Sequence, residues 1–146
     1  AYEALIKKLH LEDSVFIIDP CGPLEVVDSA SNYDVGVINS KCIDENFSHT
    51  LPNKHFEYMC AGLAIASTDL PPIKKILDTE NCGITYEQKG PVQTAAVLKE
   101  LVMNPAKIMA MKEASIAAAP KYAWPAQAKK LQDLDSRLED QFVKRK

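Results

Sequence analysis

Short continuous apolar runs recur along the chain, separated by stretches in which apolar residues return every three or four positions. Val15-Phe-Ile-Ile18 is a β-branched and aromatic run closed by Asp19-Pro20, and Val35-Gly-Val-Ile38 is another, closed by Asn39-Ser40. Leu63–Ser67 and Gly83–Tyr86 complete a predicted set of four strands. Near-continuous runs of this kind suit strands covered on both faces, as in a parallel sheet. Between them the pattern predicts helices over Pro23–Asn32, Asn53–Ala61 and Pro71–Thr79, followed by three more over Pro91–Met103, Pro105–Ala118 and Tyr122–Lys144. The alternation predicts an α/β fold, a Rossmann-like parallel sheet with flanking helices and right-handed crossovers. Two amphipathic stripes lie outside it. Tyr2, Leu5, Ile6 and Leu9 form one with no capping residue before it, the pattern of a helix entered part-way. Leu131, Leu134, Leu138 and Phe142 form the other, read as a packing face for a neighbouring lobe or the core.

Composition narrows the class. With 146 residues, 47% of them apolar, the chain can bury one real core and is too short for two ordinary domains. No apolar run approaches the roughly 20 residues that span a bilayer, and no basic segment precedes an apolar one as in a leader. The formal net charge is −3, and the cations are fifteen Lys but only Arg137 and Arg145. A nucleic-acid binder carries an Arg-rich basic face, so that class is disfavoured. Cys21, Cys42, Cys60 and Cys82 lie about twenty residues apart with no CxxC pair, and neither His49 nor His55 sits at HExxH spacing. Four reduced thiols, mostly small core residues, are therefore expected in a cytoplasmic protein, with no metal site.

The segment Ser48–Leu77 carries the most chemistry. Thr50 or Ser48 is placed to cap a helix that tolerates Pro52 in its first turn, with Phe56, Met59 and Cys60 toward the core and Gly62 as the stop. Such a helix offers free backbone N–H groups and a positive dipole end, an anion site to which Lys54 adds charge. Glu57, one turn further in, can accept two hydrogen bonds at once, the geometry that suits a vicinal diol such as a ribose. Asp69, before Leu-Pro-Pro, is expected to cap the following helix.

The string LPNKxFEYMxAGLxIxSxDLPPIxxIL resembles the donor-binding half of retaining GT-B glycosyltransferases of the group 1, family 4 type. The likeness extends outward through Val15–Pro20, Leu24 and Ala30–Ile38, through Gly83–Tyr86, and through the Tyr122-Ala-Trp124 segment leading into a terminal helix. The resemblance implies that Glu57 is the second carboxylate of the family's paired-glutamate motif and binds the nucleotide ribose. It implies that Leu51, Pro52 and Asn53 form the turn whose amides approach the donor diphosphate, with Ser48 and Lys54 beside it. The first acid of the pair falls eight residues earlier, where this chain has His49. His49 either contacts the transferred sugar or marks a branch that handles the donor differently. The loop Asp19-Pro20-Cys21 sits where the family holds the base.

The same resemblance implies a chain that is part of the C-terminal, donor-binding lobe, as a single domain over residues 1–146. Two further strands, a basic Arg and Lys pair and an N-terminal acceptor domain would lie outside it. The missing strands would fall between Val15–Ile18 and Val35–Ile38, leaving a gap in the sheet. The implied partners are a nucleotide sugar and the acceptor domain, with no nucleic acid, no metal, and peripheral association with the inner face of a membrane. The alternative is a non-catalytic interaction or regulatory domain that kept the fold, argued from His49 and the absent front. An epimerase on the same fold would need a much longer chain.

Overall fold

The structure is a computed structural model that describes residues 2–40, 49–87 and 89–143, the last five through their backbone alone. Three parallel strands, β1 (Val35–Ile38), β2 (Ala64–Thr68) and β3 (Gly83–Tyr86), pair in the order β1-β2-β3. Val35 lies opposite Ala64, and Ile65 opposite Gly83. All five residues of the central strand are buried. Helices α1 (Tyr2–Lys8), α2 (Val26–Ala30), α3 (Asn53–Cys60), α4 (Pro71–Glu80), α5 (Pro91–Val102), α6 (Pro105–Tyr122) and α7 (Trp124–Val143) flank or follow the sheet. The α/β reading holds, with β3 on its predicted residues.

Successive β2 side chains serve opposite faces, as the pleat requires. Ile65 packs with Met59, Ile73 and Leu77, so α3 and α4 cover one face. Ala64 and Ala66 pack with Leu101 and Met111, so α5 and α6 cover the other. The far end of α6 then reaches the first face, where Ala118 joins the Ile65 cluster. Two polar ties fix that path. The Ser115 hydroxyl donates to the Leu63 carbonyl at 2.6 Å, buried between helix and sheet. Glu80, ending α4, accepts from Lys121 Nζ at 2.6 Å and from the Tyr122 hydroxyl at 3.0 Å. These donors hold the Glu80 carboxyl below the usual carboxylate range.

Glycine is required where backbones approach closely. A Cβ on Gly83 would overlap the Ile65 carbonyl oxygen, and one on Gly36 would enter the Tyr58 ring. Gly62 adopts φ 71° in the turn from α3 into β2, a conformation that L side chains rarely take.

Three expectations are corrected. Val15–Ile18 is not a strand: it pairs with none of the three, and Phe16, Ile17 and Ile18 stand well exposed. Strand composition does not by itself form a ladder: Ile18 lines the same small hollow as Val35, Gly36 and Val37 of the edge strand β1, yet the run makes no pairing with it. Helix α2 is half the predicted length, because residues before it are taken up in a turn from Gly22 to Glu25. Helix α6 runs past Ala118 through Pro120 to Tyr122; a proline in the last turn forfeits one backbone bond without breaking the helix. The leucine stripe of α7, expected to face a neighbouring lobe or the core, does not pack on this core: Leu131, Leu134 and Leu138 are exposed. Among the described residues no helix is long and apolar enough to cross a membrane.

Candidate functional site

The site is assembled where β1 ends and α3 begins. Pro52 is the N-cap, its extended backbone (φ −63°, ψ 142°) delivering the chain into the first turn. Pro52 itself makes no side-chain cap bond; of the two residues expected to cap this helix, Thr50 is described and Ser48 lies outside the described residues. The His55 amide closes back on the Pro52 carbonyl at 3.0 Å. The amides of Asn53 and Lys54 precede it in the turn, where a helix has no internal acceptor to offer.

A cleft of about 620 Å³ opens against this tip. One wall is the carboxyl end of β1, from Val37 and Ile38 to Asn39 and Ser40. The other is Thr50, Pro52, Asn53, Lys54 and Glu57. Ligands of parallel α/β sheets bind at this end of the strands, which makes the cleft the candidate site. Lys54 is exposed and Glu57 half-buried. The helix dipole and the Lys54 ammonium favour an anion at the tip. Glu57, one turn deeper, is a pure acceptor that serves hydroxyl donors.

The predicted donor residues Pro52, Asn53, Lys54 and Glu57 thus share one cleft. Others do not. Leu51 lines a neighbouring hollow of about 650 Å³, which meets the cleft at Asn53 and Glu57. His49 is exposed and absent from the described cleft lining. Asp19, Pro20 and Cys21 are exposed and also absent from it. Cys21 instead borders a small hollow of about 240 Å³ beside β1, together with Ile18 and Tyr33. The expected base-binding loop is therefore displaced from the cleft, because the run before it never joins the sheet that would carry it there.

Within α3 the sequence reading misjudged two faces. His55, not Cys60, is the buried partner of Met59, and Cys60 is exposed. Among the described cysteines only Cys82 is buried; Cys42 lies outside the described residues. His55 is fully buried with neither ring nitrogen hydrogen-bonded, edge-on to Phe56 at 5.2 Å. Burial pulls its pKa from 6.5 down to about 4, so the ring is neutral at pH 7. The Tyr58 phenol is pushed up by burial and by the neighbouring Glu57 charge. Asp69 does not cap α4, whose N-cap is Leu70; it pairs with Lys74 at 3.6 Å.

Asn39 and Ser40 escaped the sequence reading as site residues, although their position directly after a predicted parallel strand was the available signal. No group of three or more His, Cys, Asp or Glu able to hold a metal is found among the described residues. Comparison with family models, with curated proteins and with solved structures gave no match.

Proposed function

We propose that the chain is the donor-binding lobe of a retaining, GT-B-like glycosyltransferase, holding a nucleoside-diphosphate sugar in the cleft between β1 and α3. One observation carries the reading: the amino-terminal tip of α3 and the Glu57 carboxylate one turn in line the same cleft at the carboxyl end of a parallel strand. The diphosphate would lie over the Asn53 and Lys54 amides, and the ribose diol would donate to Glu57. Breaking the bond from anomeric carbon to diphosphate develops negative charge on the leaving group, which a helix N-terminus and Lys54 stabilise. The other wall, with the acceptor, would come from the N-terminal domain of the parent enzyme, at the cytoplasmic face of a membrane or in the cytoplasm.

The chain by itself is expected to bind donor weakly and turn nothing over, since Lys54 is the only cationic side chain lining the cleft among the described residues. Thermal-shift titration with UDP-, GDP- and ADP-sugars tests this. A stabilisation by one nucleotide class, lost in Glu57→Gln, supports it; no shift with any donor at millimolar concentration removes it. The displaced Asp19–Cys21 loop favours a second reading, a non-catalytic interaction domain that kept the fold. That reading requires the titration to fail for the full-length parent as well.

A further inference from the structure

We infer that the hollow beside the cleft is a second small-molecule site, built for a flat aromatic ring bearing a hydroxyl group. It rests on the lining of this hollow and not on the donor reading. Its volume of about 650 Å³ lies in the range of ligand pockets, and its lining is mainly apolar with a few polar groups at hand. Phe56 and Tyr122 stack in it, with ring centres 5.9 Å apart and planes 29° from parallel. Trp124, the only tryptophan in the chain, adds a third aromatic surface and is 72% exposed. Large aromatic area left open in a concavity lined by other aromatics has the shape of a ring-stacking site.

The polar groups select the ligand further. Gln127 is already engaged: it donates to the Lys121 carbonyl at 2.7 Å and accepts from Lys130 Nζ at 3.4 Å, and the Lys130 ammonium offers only donors. Glu57 has no such partner among the described residues, so it is the carboxylate open to a hydroxyl donor. A ring with one hydroxyl satisfies it and presents apolar faces to the aromatic walls. A pyranose can lay a C–H face on these rings, but the hydroxyls around its whole edge would each need a polar partner, and the lining is mainly apolar with Glu57 as its one carboxylate.

Calorimetric titration of the whole chain with 2-naphthol tests the site, with methyl β-D-glucopyranoside as the comparator. Cys60 lines the hollow and Cys21 does not, so iodoacetamide alkylation mapped by peptide mass spectrometry locates the ligand. Saturable binding of 2-naphthol is expected, with Cys60 alkylation slowed at least fivefold and Cys21 unchanged. Trp124→Ala is expected to weaken binding at least tenfold, and Phe56→Leu to do likewise should the first variant misfold. Absence of saturable binding, equal protection of both cysteines, unchanged affinity in both variants, or preference for the glucoside would each overturn the assignment.

Discussion

Single side chains at this site are separated by their environment more than by their type. Glu57 and His55 are two residues apart on α3, yet one borders the cleft and the other is sealed in the core. Replacing Glu57 by Gln removes a charge-assisted acceptor while keeping the shape. If the proposed donor reading holds, a loss of about 1.5–3 kcal/mol in nucleotide-sugar binding is expected, read by calorimetry. His55 makes a claim about acid stability. Its pKa is lower in the folded chain than the 6.5 of an exposed imidazole, so the unfolded chain binds the proton more readily. The contribution is fully present above pH 6.5 and is lost as pH falls toward 4. Urea midpoints measured across that window should drop, and His55→Leu should flatten the drop; an unchanged slope in the variant contradicts it.

Elements were legible wherever local pattern and tertiary setting agreed. Strand β3 and helices α3, α4 and α5 match their sequence limits within a residue or so, because glycine, proline and apolar periodicity mark the ends and the burial they need is close in sequence. Val15–Ile18 has the same strand composition and fails, since composition cannot say whether a run will join the edge it lies near. The base-binding loop went astray for the same reason, while the tip of α3, built from consecutive residues, was correctly placed. Gly83 shows where the element scale is least forgiving. Its absent side chain lets β3 come up against the Ile65 carbonyl, so Gly83→Ala is expected to cost about 1–3 kcal/mol in equilibrium unfolding, as overpacking against a rigid backbone does.

For the whole molecule, stability resides in the three strands and the helices pressed on them. Truncating Ile65, wholly buried in the central strand, to Ala should cost about 2–5 kcal/mol. Ile17→Lys, on the exposed run, should move the unfolding free energy by no more than about 0.5 kcal/mol. Denaturation of the two variants side by side distinguishes this arrangement from one in which Val15–Ile18 is a core strand, for then both would fall together. The bond from Ser115 to Leu63 joins residues 52 positions apart, and the partners of Ala64 and Ala66 come from Leu101 and Met111. A ribosome releasing this polypeptide would therefore expose one side of the finished β2 ribbon until α5 and α6 emerge. During that interval the nascent chain presents a bare aliphatic surface, a natural landing place for a holding chaperone.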